Sequence, residues 1–240
     1  MTRPTTGTTS IERLVLRLLD GVDDDVLAGE LLAWAAGSGR FEAFLVAHAA
    51  KIHKKLRTAA DAEARRDVRA ELRLAHQLLA DRRFELAFEA YGSGRRGPDF
   101  TVTFRDTARF NLELTRLRRS PGGTRDGGWL LAKLRQLPPS IPNAIVVAID
   151  AAPAEALDVD AAVRGLRARA DSRDDAFFTR RGLDGSRGFH ERIPRLGGVF
   201  TWSERAKGDA RAALWIHRSA RIALPSRAAT ACLDGLRADA

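Results

Sequence analysis

The sequence has little cysteine, no long apolar run and fewer acidic than basic residues. Cys232 is the only cysteine among 240 residues, which excludes a disulfide framework and a thiolate metal site. No apolar stretch is long enough to span a bilayer, and residues 1–10 are polar and rich in threonine, unlike a signal peptide. These absences predict a soluble, cytoplasmic protein with no membrane partner.

Basic residues outnumber acidic residues by 40 to 31, which gives a formal net charge of +9 at pH 7. This excess favours a polyanionic partner such as nucleic acid, because contacts between cations and phosphates add affinity. Arginines on solvated helix faces would give the same composition without any such partner. The hydrophobic content of 45% indicates a folded chain with a substantial core.

The clearest pattern lies in two neighbouring runs, Phe100–Phe104 and Phe110–Leu114, in which apolar and polar residues alternate. A short polar segment separates the runs, so they predict an antiparallel hairpin. If the apolar faces of both strands enter one core, the residue numbers of each cross-strand pair must have an even sum. With the turn near Asp106 or Thr107, Asp99 then lies opposite Glu113 or Thr115 on the polar face. Two carboxylates that close repel each other unless a cation, such as a divalent metal ion, lies between them.

The motif in these runs resembles the signature of the PD-(D/E)XK phosphodiesterase superfamily, which has a restriction-endonuclease-like fold. It consists of Pro98-Asp99, a strand, a turn, and Glu113-Leu114-Thr115. In that family the Asp and the Glu bind magnesium, and a Lys two residues beyond the Glu positions or activates the attacking water. Here Thr115 stands at the lysine position, and a hydroxyl group supplies no positive charge. The resemblance therefore implies the fold more directly than it implies catalysis.

Two further residues enter the expected site through this resemblance. Glu71 lies on a helix predicted over Asp61–Asp81, from which family members often supply another acidic ligand, although it would also suit an ordinary helix surface. Lys133 lies on a helix predicted over Trp129–Leu137, to which some members relocate the lysine. The implied cofactor is magnesium or manganese. The expected metal ligands are Asp99, Glu113 and Glu71, and the expected catalytic residues are Asp99, Glu113, Thr115 and Lys133.

Two basic clusters are candidates for contact with a nucleic-acid backbone. Lys54 and Lys55 lie in the densest basic run, although cations at a solvated helix end would also explain them. Arg95 and Arg96 lie within residues 92–97, Gly-Ser-Gly-Arg-Arg-Gly, which match the letters of a dinucleotide-binding motif. That motif opens a helix, whereas Pro98 and a strand follow here. We therefore interpret the segment as a flexible hairpin loop.

The whole chain predicts an α/β fold with a mixed central sheet, a restriction-endonuclease-like α-β-β-β-α-β core and an N-terminal helical region. Residues 1–9 are predicted to form a disordered leader, residues 10–56 the helical region and residues 57–240 the α/β domain. Ser10 is the predicted cap of the first helix, and residues 171–192 are predicted to be a loop over one edge of the sheet. Further strands are predicted over Arg83–Tyr91, Asn143–Ile149, Gly197–Ser203 and Ala212–His217.

The expected function is magnesium-dependent hydrolysis of phosphodiester bonds in DNA or RNA. The alternative is a catalytically inactive nucleic-acid-binding or scaffold protein that has the same fold. A third possibility is that the carboxylates pair with neighbouring arginines, Arg116 or Arg118, and hold no ion. The sequence fixes neither the kind of nucleic acid nor an interface for a homodimer.

Overall fold

The computed structural model describes residues 9–91, 97–117, 127–149, 157–203 and 211–238. The chain forms two compact units, Met1–Ala80 and Asp81–Ala240. The boundary lies after the long helix that was expected to belong to the sheet domain. No helix in the described part of the chain has both the length and the apolar character needed to cross a membrane.

The first unit contains four consecutive helices: α1 (Ser10–Leu18), α2 (Asp25–Gly37), α3 (Gly39–Thr58) and α4 (Ala62–Leu79). The predicted N-terminal helical region and the predicted helix over Asp61–Asp81 are thus confirmed. The cap of α1 is Thr9, so the prediction of Ser10 is wrong by one residue. The Thr9 hydroxyl accepts from the backbone N–H of Glu12, and the Glu12 carboxylate accepts from the backbone N–H of Thr9. This reciprocal arrangement requires an acidic residue three positions beyond the cap, and Arg13 could not supply it for Ser10.

Side-chain contacts tie α4 to α2 and α3 within the first unit. Arg69 on α4 forms a two-point ion pair with Glu30 on α2. The ring of His76 stacks on Trp34 with centroids 5.4 Å apart. These contacts explain why α4 groups with the N-terminal helices.

The second unit is built on a six-stranded mixed sheet, as the sequence predicted for its fold class. The strands are β1 (Phe84–Phe88), β2 (Phe100–Phe104), β3 (Ala108–Leu117), β4 (Asn143–Ile149), β5 (Leu196–Ser203) and β6 (Ala212–Ile216). They lie in the order β1-β2-β3-β4-β5-β6, with β3-β4 and β4-β5 parallel and the other pairs antiparallel. Helix α5 (Gly128–Leu134) connects β3 to β4, and α9 (Ser226–Arg237) follows β6. The predicted hairpin and the later predicted strands are confirmed.

The β2–β3 register has the predicted parity. Phe100 pairs with Leu112 and Thr101 pairs with Asn111. One residue beyond the first of these pairs, Asp99 and Glu113 lie opposite each other. Because side chains alternate along a strand, both residues lie on the face that also carries Thr101.

The sheet face that carries Glu113 is buried, although the sequence predicted a hydrophilic face. Glu113 shares this face with Ile145 and Val147 of β4 and Val199 of β5. These apolar residues belong to a core that includes residues from α5, α6 (Val159–Asp171), α7 (Asp175–Thr179) and α8 (Gly185–Arg192). The prediction was wrong because these helices cover the face around Glu113, which is fully buried.

Residues 171–192 are mostly helical, so the prediction of a loop is wrong. They include α7 and α8, which place Phe177, Phe178 and Phe189 in the core beneath the sheet. Asp174 caps α7 by accepting from the backbone N–H of Phe177. Helices this short contain too few turns to show a clear apolar period among their charged residues.

Candidate functional site

Two hydrogen bonds between the β2 and β3 segments hold the carboxylates of Asp99 and Glu113. The backbone N–H of Asp99 donates to Oε2 of Glu113 over 3.2 Å. The backbone N–H of Leu114 donates to Oδ2 of Asp99 over 2.8 Å. Each carboxylate is therefore fixed by the main chain of the neighbouring strand, and the predicted proximity of the two groups is confirmed.

Lys133 on α5 reaches the same carboxylate pair. Its Nζ donates to Oε1 of Glu113 over 2.5 Å. The Glu113 side chain is only 1% exposed, whereas the Lys133 side chain is 21% exposed, so the ammonium group lies between the carboxylate and solvent. The sequence offered Arg116 or Arg118 as cations that could pair with the carboxylates, whereas the cation that contacts Glu113 is Lys133.

A glycine immediately before α5 allows the chain to pack closely against α6. Gly127 has φ = +69°, and a Cβ atom built there would lie 2.8 Å from a methyl carbon of Leu166 on α6. Both the backbone angle and the close approach favour glycine at this position. The close packing of α5 at this end helps to define the position from which Lys133 extends to Glu113.

The pKa of Glu113 is raised from 4.5 to about 8, chiefly because the group is buried and secondly because the negative charge of Asp99 lies beside it. The charge and the hydrogen bond of Lys133 act in the opposite direction, as does the hydrogen bond from the Asp99 backbone. Loss of water around the carboxylate therefore outweighs the attraction to the lysine. Near neutral pH the group can exchange a proton, which is a common property of functional carboxylates.

Thr115 follows Glu113 by two residues on β3 and therefore lies on the same sheet face, about 7 Å further along the strand. Its side chain is half-buried. This position is compatible with the predicted role in orienting a water molecule. That role stays a prediction.

Glu71 was predicted to bind metal, and Lys55 was predicted to contact a nucleic-acid backbone. The two residues form an ion pair with each other in the first unit. Lys55 Nζ donates to Glu71 Oε2 over 2.6 Å, and the Glu71 side chain is 7% exposed. This ion pair accounts for both residues without a ligand, and their predicted binding roles stay predictions. Lys54 is exposed. Arg95, Arg96 and Arg118 lie outside the described residues.

A buried polar network beside the carboxylates was not assigned any role from the sequence. Asn111 accepts from Thr101 Oγ1 over 3.0 Å and donates to Asn143 Oδ1 over 2.9 Å and to the Tyr91 hydroxyl over 3.3 Å. The network joins β2, β3 and β4 two residues before Glu113 on the same face. Asparagine is unfavourable in strands and costly to bury without hydrogen-bond partners. The presence of Asn111 and Asn143 in two predicted strands was therefore the sequence feature that could have indicated a buried polar network. The hydrogen bonds stabilise the register that brings Asp99 opposite Glu113.

The donor set is compatible with a magnesium ion held by two carboxylates. Magnesium is commonly bound through one or two carboxylates, and water completes its octahedral shell. Among the residues that the structure describes, no group of three or more His, Cys, Asp or Glu side chains could hold a metal ion. Asp99 and Glu113 would therefore bind it with water, and Lys133 would have to release Glu113.

Compared with known proteins, the chain matches no protein-family model, no curated protein and no solved structure. Inferences about its function therefore depend on the residues and the geometry described above.

Proposed function

We propose that this protein is a metal-dependent phosphodiesterase of the PD-(D/E)XK type that acts on nucleic acid. The observation that carries the proposal is the hydrogen bond from Lys133 to Glu113, beside Asp99. Two carboxylates and an ammonium group, the three groups that the resembled family uses, thus converge even though Thr115 replaces the lysine on the strand. The net charge of +9 favours a polyanionic substrate.

The order of elements in the second unit supports the same proposal. Strands β1, β2 and β3 form a meander, α5 follows, and β4 pairs in parallel with β3. This order agrees with the β-β-β-α-β part of the expected core. The carboxylates lie on β3 and just before β2, as the resemblance implies.

In the proposed reaction, Asp99 and Glu113 would hold the magnesium ion. When bound, magnesium polarises a phosphoryl oxygen and lowers the pKa of bound water. Lys133 keeps a positive charge beside the carboxylates, and once released from Glu113 its ammonium group can donate to a phosphate oxygen or orient the attacking water. The Thr115 hydroxyl can donate to or accept from the same water.

Nuclease assays test this proposal directly. The purified protein is incubated with single-stranded and double-stranded DNA and RNA in the presence of magnesium or manganese. We expect cleavage by the wild type, and a loss of about 100-fold or more in Asp99→Asn and in Lys133→Met, because each change removes a charge that acts on the reacting groups. The matched control is Glu85→Gln, which neutralises an exposed carboxylate on β1.

Two results would contradict the proposal. One is that no substrate is cleaved with either metal over a broad pH range. The other is that cleavage is equally fast in Asp99→Asn, which would indicate a contaminating nuclease or another site.

The second candidate is a non-catalytic protein that binds nucleic acid or serves as a scaffold. The observation that favours it is that the Glu113 carboxylate is 1% exposed and already has Lys133 as its cation. Thermal unfolding with manganese separates the candidates, since an ion that binds the folded state raises the melting temperature. A rise in the wild type that disappears in Asp99→Asn supports a metal site. Salt-sensitive binding of nucleic acid with no such rise supports the second candidate.

A further inference from the structure

A second polar site lies at the opposite end of the β2–β3 hairpin from Asp99. A cleft of about 370 Å³ opens between the hairpin turn and the first turns of α9. Its lining residues are Arg83, Phe104, Arg105, Ser226, Arg227, Thr230, Ala231 and Asp234. Asp99 immediately precedes β2, and Phe104 is the last residue of that strand. Because the two residues are an odd number of positions apart, their side chains lie on opposite sheet faces. The cleft is therefore separate from the carboxylate pair.

Three guanidinium groups converge on this cleft from three different elements. The guanidinium carbons of Arg83 and Arg105 lie 5.3 Å and 5.5 Å from the centroid of the Phe104 ring. Arg227 approaches from the first turn of α9 and is exposed. Like charges that share a small cleft repel each other, so an anion placed among them is stabilised.

The acidic residues nearby act mainly on Arg83. Asp81 forms a two-point hydrogen bond with the Arg83 guanidinium over 2.9 Å and 2.6 Å, and the negative charge of Asp234 acts on the same arginine. Within the described residues, neither Arg105 nor Arg227 forms an ion pair. These two arginines are therefore the groups that can offer their charge to a ligand.

The backbone at Arg105 is unusual for an arginine. Arg105 has φ = +50° and Asp106 has φ = +59°, and the backbone N–H of Thr107 donates to the carbonyl oxygen of Phe104. This is a tight hairpin turn in which both central residues are left-handed, a turn that favours glycine or asparagine. The left-handed conformation is energetically costly for a residue with a Cβ atom. Such a cost points to a use for the side chain, which extends over Phe104 into the cleft.

Hydroxyl groups and the first turn of α9 add neutral donors. Ser226 and Thr230 are one helical turn apart and both line the cleft. Pro225 precedes the helix, and its side chain cannot accept hydrogen bonds from the first-turn N–H groups. Guanidinium, hydroxyl and backbone N–H donors together match the oxygen acceptors of a phosphate group.

We propose that this cleft binds the phosphate group of a small ligand, either inorganic phosphate or a phosphomonoester. Its volume is at the lower end of the range for small-molecule sites and suits a compact anion. Arg105 and Arg227 provide the charged contacts, and Ser226 and Thr230 provide hydroxyl donors. The proposal is independent of the phosphodiesterase activity, because it uses different residues on the opposite sheet face.

Titration with inorganic phosphate and with glycerol phosphate at constant ionic strength tests the proposal. Binding is followed in proton–nitrogen correlation NMR spectra of the full chain. We expect saturable shifts at the amides of Arg105 and of the first turn of α9. Equal affinities for the two probes would identify the phosphate group as the recognised part, and tighter binding of glycerol phosphate would identify a phosphomonoester.

Single substitutions test which arginines bind the phosphate group. Arg105→Gln and Arg227→Gln should each weaken phosphate binding by about tenfold or more, because a charged hydrogen bond is lost. Arg218→Gln removes the same charge from an exposed turn and should leave the affinity unchanged. Unchanged spectra elsewhere in the variants would show that they are folded. Shifts that never saturate, or equal affinities in the wild type and Arg227→Gln, would overturn the proposal.

Discussion

The carboxyl group of Glu113 should make the stability of the sheet unit depend on pH in a specific direction. Its pKa rises from 4.5 to about 8 in the folded protein, because burial and the charge of Asp99 outweigh the effect of Lys133. The folded state therefore binds this proton more tightly than the unfolded chain does. The stability contributed by the protonated group is full below pH 4.5 and is lost as the pH rises to 8.

The size of the effect follows from the two pKa values. Each pH unit between them changes the free energy of unfolding by at most about 1.4 kcal/mol, so the whole interval gives at most about 5 kcal/mol. In Glu113→Gln the side chain keeps its shape and has no proton to lose. We expect the stability of this variant, relative to the wild type, to rise by up to about 5 kcal/mol as the pH increases from 4.5 to 8.

Urea unfolding measured by tryptophan fluorescence in the presence of a chelator tests this expectation. Both proteins carry Trp34→Phe, so that the remaining tryptophans all report on the unit Asp81–Ala240. The control is Glu85→Gln, which makes the same chemical change at an exposed carboxylate on β1. If the difference between Glu113→Gln and the wild type is the same at every pH, the reasoning about burial is refuted.

Two further predictions concern other buried charges and rings. Lys55→Met leaves the Glu71 carboxylate buried without this partner, so we expect a loss of about 3 kcal/mol in chemical denaturation; a change as small as that in the exposed control Lys54→Met would contradict it. The pKa of His217 lies below its ordinary value of 6.5, because the ring is buried and faces Arg167. The wild type should therefore lose stability relative to His217→Gln as the pH falls below 6.5, and parallel pH profiles in thermal unfolding would contradict this.

Much of the sheet could be predicted from the sequence because strand patterns are local. Alternation in Phe100–Phe104 and Phe110–Leu114 indicated the hairpin, and the requirement for a shared core fixed the parity of its register. That parity placed Asp99 opposite Glu113 or Thr115, and the observed pairing of Phe100 with Leu112 selects Glu113. The same local reasoning placed the cap of α1 one residue too late, since the reciprocal bond between Thr9 and Glu12 has to be considered together with the cap.

The partners of the polar residues could not be predicted in the same way. The sequence suggested that Lys133 could reach the site, but not that its ammonium group contacts Glu113 itself. It also gave no indication that Glu71 would pair with Lys55. Each of these contacts joins residues on different elements, and their meeting depends on how a helix packs rather than on any period in the sequence.

Local periodicity by itself determined the strands and the parity of the hairpin register, which placed Asp99 opposite Glu113 or Thr115. Only the tertiary structure decided that helices cover the face on which Glu113 lies and that the arginines at the far end of the hairpin surround a cleft. The physical reason is that alternation along a strand depends on neighbouring residues. Burial of a whole sheet face and the sharing of a cleft depend on free energies of packing between segments far apart in the chain.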